Sequence, residues 1–345
     1  NDKPRMNTKV FMLFADCIPV TGFKKAAICD LGRGQIMLIP KSLYHFIEEF
    51  EGTDLSELMD TADDDQKEII HEYIQHLEDH ELLFWCDQTE TTRFPKIKPR
   101  WQSPGMISNT IIEFNPSDAY EEVLLELNKL GCSYYQFRLT DLNPNTLEPF
   151  NRLVTTLYEQ CQNLNMFEII APHDSQDIDE QFLKSMKKYI QLRCITFYNH
   201  PTNSQTIVDT LVVKYKVHPL TKEHIKSTES TANFFPNYDF FFESKHRSTY
   251  YNGKVTIDFE GGIKNTVSDT KSFGSIHTHS LTEVINQPSF QTNWYAAKDK
   301  VKGCQDCEFR YTCFDTRPLT FNEADQLYES EIACDYNPYT AQWAN

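Results

Sequence analysis

Apolar residues follow two different periods along this chain. "KVFMLFADCIPV" from Lys9 and "KAAICDLGRGQIMLIP" from Lys25 read as strands, the second folding back at the "LGRG" turn. "PKSLYHFIEEF" predicts a helix with Pro40 at its start. "QKEIIHEYIQHLEDHELL" predicts a longer helix, with Ile70, Tyr73, Ile74 and Leu77 at 3/4 spacing on one face. "LLFWCD" then returns as a strand. Strands, helices and a closing strand predict a winged-helix-like module over residues 6–94. "PKIKPRWQSPG", with three prolines and a glycine, predicts a linker over 95–108.

From residue 109 the pattern becomes strand–helix. "NTIIEFN", "CSYYQFRLTD", "MFEIIAPHD" and "LRCITFYNH" read as strands. Between them "SDAYEEVLLELNKLG", "LEPFNRLVTTLYEQCQNL" and "IDEQFLKSMKKYIQ" read as helices, the first with Ser117 as N-cap and Gly131 at its end. Recurrence about every 27 residues indicates a parallel sheet or part of an α/β barrel over 109–229. Four units are clear and a fifth is suggested at "TIVDTLVVKY", short of the eight that close a barrel. From 230 to 345 the chain is irregular, with a hairpin at "KVTIDFEGGIKN" turning on Gly261–Gly262 and a short helix in "SLTEVINQPSFQTNW".

Charge narrows the function classes. Fifty acidic against 33 basic residues give a formal charge of −17, which argues against a nucleic-acid surface, since such binding rests on neutralising phosphates. It fits partners with basic peptide segments. No apolar run reaches the roughly 18–20 residues of a membrane span, and no secretory signal is read at "NDKPRMNTKVFMLF". The expectation is a soluble, cytoplasmic protein, with Met6 as its native first residue and Asn1–Arg5 foreign to it.

Ten cysteines are unevenly placed. Cys17, Cys29, Cys86, Cys132, Cys161 and Cys194 sit in apolar stretches, where a free thiol behaves as a small hydrophobe. Cys304, Cys307, Cys313 and Cys334 crowd the last 42 residues. Two thiolates in C-x2-C can reach one ion or one cluster edge together, and two more complete a four-thiolate set. Spacing does not choose between zinc and a [4Fe–4S] cluster. Other motifs are weaker. In "HEYIQHLEDH", His71 and His76 are five apart, about 140° around a helix, so they cannot share an ion. His76 and His80 lie on a polar face and read as surface residues, and His277 and His279 in "SIHTHSL" as loop residues. "DTADDDQKE" reads as a charge complement to a helix N-terminus. No P-loop, G-x-G-x-x-G or nucleophile elbow is present.

"GCQDCEFRYTCFDTRPL…CDYNPYTAQW", together with "KVTIDFEGGIKN" and "FGSI", resembles the C-terminal SPASM domain of grasp-with-spasm peptide maturases. The resemblance spans most of 109–345, with its specific motifs after 240. It implies a radical-SAM-like (β/α) region followed by a SPASM domain over 230–345, with one auxiliary [4Fe–4S] cluster on Cys304, Cys307, Cys313 and Cys334. The family's other auxiliary cysteines fall at Tyr250, Thr266 and Thr316, none of them a thiol. C-x3-C-x2-C, the grip for S-adenosylmethionine, occurs nowhere. No radical SAM activity and no S-adenosylmethionine are therefore expected, and the four-cysteine site, with no open position, reads as structural.

Residues 6–93 resemble RiPP recognition elements, which add a leader peptide as an extra strand. Carried onto this chain, the strand is "GQIMLIP", the helix is "QKEIIHEYIQHLEDH", and the contacts are Ile36, Met37, Leu38, Tyr73 and Leu77. The resemblance implies an accessory protein that presents a ribosomal precursor peptide to an ATP-grasp ligase. The alternatives are a peptide-modifying enzyme using its iron–sulfur cluster, and a metal-stapled scaffold.

Overall fold

A computed structural model describes residues 8–98, 100–103, 105–219 and 234–344; Met6 and the expected 229/230 boundary lie outside them. The first module opens with β1 (Lys9–Leu13), which pairs antiparallel with β5 (Leu83–Asp87). Between them β2 (Cys17–Thr21), β3 (Ala26–Asp30) and β4 (Gln35–Ile39) form an antiparallel sheet with β4 at one edge. Helices α1 (Lys41–Phe50), α2 (Ser56–Thr61) and α3 (Asp64–Asp79) follow. Pro40 is the N-cap of α1. The acidic run starts α3: Asp63 and Gln66 close a capping box, with Asp64 and Asp65 in the first turn. Phe11, Ile28, Leu43, Ile47 and Leu77 lie at the centre of this module's core.

The rest is a mixed α/β body around one nine-stranded sheet, mostly parallel. Its strands are β6 (Asn109–Glu113), β7 (Tyr134–Arg138), β8 (Met166–Pro172), β9 (Leu192–Tyr198), β10 (Ser204–Val208), β11 (Leu211–Tyr215), β12 (Lys254–Ile257), β13 (Gly262–Lys264) and β14 (Gly274–Ser275). The order is β10-β11-β9-β8-β7-β6-β12-β13-β14. Helices α4 (Glu121–Lys129), α5 (Pro144–Gln160) and α6 (Gln176–Met186) connect the parallel strands from β6 to β9. Val123, Leu127, Phe150, Leu157 and Phe182 of these helices share one core with Ile112, Phe137, Ile169 and Ile195 of the sheet.

Three expectations change. Ser117 is not the cap of α4, which starts later behind Tyr120 with no side-chain cap; Asn115 instead takes the Ser117 amide. The suggested fifth strand–helix unit is a β10–β11 hairpin, turned by Asp209 at φ +58°, a conformation that aspartate tolerates better than most residues. The hairpin at Gly261 does form, but β12 also pairs parallel with β6. The irregular C-terminal region thus completes the sheet. The linker enters this body where two glycines meet: a Cβ on Gly131, at φ +89°, would stand 2.7 Å from the Cα of Gly105. Only glycines allow that contact.

Candidate functional site

The four clustered cysteines line one cavity of about 430 Å³. Gly303, at φ +78°, leads into a single 3-10 turn, and the Cys307 amide donates to the Cys304 carbonyl at 3.0 Å. Cys304 and Cys307 are thereby held on one tight turn. The Cys313 amide donates to the Phe309 carbonyl, and its backbone bridges to Phe234. Cys334 arrives from the last irregular segment and is exposed, while the other three are half-buried. Phe309, Tyr336 and Trp343 form an aromatic wall, their rings 4.9–6.4 Å apart.

A buried charge cluster braces the opposite wall. Lys298 Nζ donates to Asp315 Oδ2 at 3.1 Å, and Arg317 donates to both Asp315 oxygens at 2.9 and 2.7 Å. Arg317 Nη2 also reaches the Cys304 sulfur at 3.6 Å. Two cations against one carboxylate leave a net positive charge beside the thiols. Burial opposes the Asp315 charge, but Lys298 and Arg317 outweigh it and hold the carboxyl below its usual range. Burial pushes the thiols of Cys304, Cys307 and Cys313 up, Cys313 to about 12, while Lys298 pulls against that rise at Cys304 and Cys313. Without a bound metal these three thiols are protonated at neutral pH.

A single zinc at Zn–S distances of about 2.3 Å needs its four sulfurs about 3.8 Å apart. Among the described residues, no three His, Cys, Asp or Glu side chains converge to hold one ion. The four thiols line one cavity, with Lys298 and Arg317 also in its lining. The rings of His76 and His80 meet at a tilt, 4.4 Å between centroids, with the Nδ1 of His80 against the His76 carbonyl. His277 and His279 sit in the turn before a short helix, Leu281–Ile285, and His277 Nε2 lies 3.8 Å from Asp118.

Tyr250 and Thr266, two of the positions that resemble lost ligands, are buried together: the tyrosine hydroxyl bonds Thr266 and Ser268. The ring of Phe314 packs 6.0 Å from that of Tyr250, and Thr316 is two residues further on.

The expected peptide contacts separate into two groups. Leu38 is 46% exposed at the free edge of the β2–β3–β4 sheet, with Ile36 and Met37 half-buried beside it. No β4 backbone group bonds outside the ladder to β3 among the described residues. Tyr73 is half-buried and its hydroxyl donates to Ser42. Leu77, at 0% exposure, lies in the module's core, on the α3 face packed on the module's sheet.

The sequence reading missed how the two regions join. The β2–β3 turn sits on the cysteine loop. The Phe23 amide donates to the Asp306 carbonyl at 2.7 Å, and Arg310 Nη1 donates to the Thr21 carbonyl at 2.5 Å. Phe23 packs edge-on against Tyr339 at 5.0 Å. Beside this contact, Val20, Cys29 and Leu31 share a core with Phe241, Phe242 and Tyr311. Only Phe23, an exposed aromatic between strands, signalled this in the sequence.

Compared with protein-family models, with curated proteins and with solved structures, the chain matches none. No helix among the described residues is long and apolar enough to cross a membrane.

Proposed function

We propose that this chain is an accessory protein of ribosomal peptide maturation. It captures a precursor's leader on β4, in a winged-helix-like recognition module, and presents the precursor to an ATP-grasp ligase. The α/β body is read as a degenerate radical-SAM-like region and the C-terminal segment as a SPASM domain. In this reading Cys304, Cys307, Cys313 and Cys334 hold one [4Fe–4S] cluster, with zinc the alternative occupant. The cluster serves as a structural clamp, and S-adenosylmethionine is not used.

The observation that carries the reading is the β4 edge. "QIMLI" has no charge or proline within the strand, although edge strands are ordinarily blunted by such residues to prevent pairing with other chains. An unguarded apolar edge with Leu38 outward is suited to adding a peptide strand, where backbone bonds give affinity and side-chain contacts set register. The cluster assignment rests on the four cysteines that line one cavity, with the Arg317 guanidinium at the Cys304 sulfur.

The test is fluorescence anisotropy with the labelled leader of a candidate precursor peptide, using the full-length protein. Micromolar or tighter binding is expected, with a tenfold or greater loss in Leu38→Asp. No binding at tens of micromolar refutes the reading. Anaerobic production of 5′-deoxyadenosine from S-adenosylmethionine would overturn it in favour of a radical enzyme.

A further inference from the structure

The sheet has a second face that the proposed function leaves unused. Helices α4–α6 cover one side of β6–β9, and residues of opposite parity point to the other side. There a cavity of about 330 Å³ is lined by Ile111, Gln136, Glu168, Cys194, Arg193 and Lys254, among others. Tyr134 and Met166, paired across β7 and β8, are both exposed and also line it. The cavity is therefore partly apolar, with charged groups among its walls.

Among the described residues Lys254 has no ion-pair partner. Two other inward lysines are paired, Lys264 with Asp258 at 2.6 Å and Lys298 with Asp315 at 3.1 Å. The Lys254 ammonium makes no hydrogen bond or ion pair among the described residues and rests over the ring of Tyr250 at 3.8 Å. Its charged neighbours do not compensate. Arg138 on β7 repels it, and Asp269, the acid that attracts it, is already held by the amides of Asn265 and Thr266. Glu168 on β8 accepts from Gln136, and Arg193 of β9 is a further cation on the wall. A half-buried lysine with no ion-pair partner among the described residues, in a chain with 50 acidic residues, is costly to keep. It marks a place where an anion is supplied from outside.

We propose that this cavity binds a carboxylate on an apolar stem, the size of a peptide side chain or a small organic acid, with Lys254 as its counterion. Burial, with Arg138 adding to it, pulls the Lys254 amine down to about 7. Above that pH the free site is largely neutral, and an arriving carboxylate draws in a proton.

The test is calorimetry on the full-length protein at pH 8 in two buffers of different ionisation enthalpy. The probes are glutarate, a blocked pentapeptide with a central glutamate, and its glutamine counterpart. Binding of the glutamate peptide with proton uptake, lost at least tenfold in both Lys254→Met and the glutamine peptide, supports the site with a peptide ligand. Binding of glutarate alone supports it with a free acid. Binding that Lys254→Met leaves intact, or no binding of either carboxylate at millimolar concentration, overturns it. Lys254→Met is expected to melt higher than the parent, since it removes an unpaired charge. If that variant does not fold, NMR of ¹³C-methylated lysines in the parent decides: a ligand-induced rise of the Lys254 pKa supports the site, and no change overturns it. No leader takes part, so failure here leaves binding at β4 untouched.

Discussion

Replacing Gly22 by alanine tests whether the N-terminal module and the cysteine loop are one mechanical unit. A Cβ at this position would stand 2.6 Å from Glu308 Oε2, 2.7 Å from the Glu308 amide nitrogen and 3.0 Å from the Lys25 carbonyl. The carboxylate could rotate, but the nitrogen is backbone one residue after Cys307. Relief therefore requires the β2–β3 turn to lift or the cysteine loop to shift. Forcing a methyl into such a contact costs roughly 1–3 kcal/mol. Lifting the turn also threatens the Phe23–Asp306 and Arg310–Thr21 hydrogen bonds, each worth about 0.5–1.5 kcal/mol. The expected loss is thus about 2–6 kcal/mol by urea denaturation, the upper end applying if both bonds break. It should come with faster modification of Cys304, Cys307 and Cys313 by a disulfide-exchange reagent in metal-free protein. Lys24→Ala, at the exposed tip of the same turn, is the control and should stay within about 0.5 kcal/mol. A Gly22→Ala protein with unchanged stability and thiol rates would refute the coupling.

Leu77→Ala should cost about 2–5 kcal/mol by denaturation, because Leu77 is fully enclosed, whereas Leu38→Ala should leave stability within about 0.5 kcal/mol and weaken leader binding. Cys334→Ser, measured by iron and labile sulfide in anaerobic protein, should lower the metal content while the sheet still folds, since Cys334 is exposed and bears no core packing. Burial raises the Asp179 carboxyl above its ordinary value, with His173 Nδ1 at 2.7 Å opposing the rise. The folded protein therefore binds this proton more tightly than the unfolded chain does. Stability on this account is greatest below the unfolded carboxyl's range and falls as pH rises through the raised value. Asp179→Asn should flatten that slope in a pH series of denaturation midpoints; an unchanged slope would rule out Asp179 as its source.

What could be read from the sequence, and what could not, follows from the range of each interaction. The strands at 109–113, 134–138, 166–172 and 192–198 announce themselves because each carries a buried apolar face and each is spaced by a helix of regular period. The C-x2-C turn is equally local, closed by one hydrogen bond between its own cysteines. Failures begin where partners are distant in sequence. β12 joins β6 across more than 140 residues, and "KVTI" alone cannot say whether its neighbour is the next strand or the first. Leu77 and Leu38 are both apolar residues of amphipathic elements. Which is core and which is edge depends on how α3 packs, and helical spacing marks a buried face without naming what buries it. Lys298, Asp315 and Arg317 carry a weak signal in "DTR", but their work at the thiols appears only once Lys298 closes the pair from the preceding turn. Lys254 carries none: a lysine heading a strand is ordinary, and only the sheet's assembly turns it into a cation with no acid opposite. The residues most informative about function are thus those whose cost is invisible locally, where the fold retains a charge or an open edge that folding alone would remove.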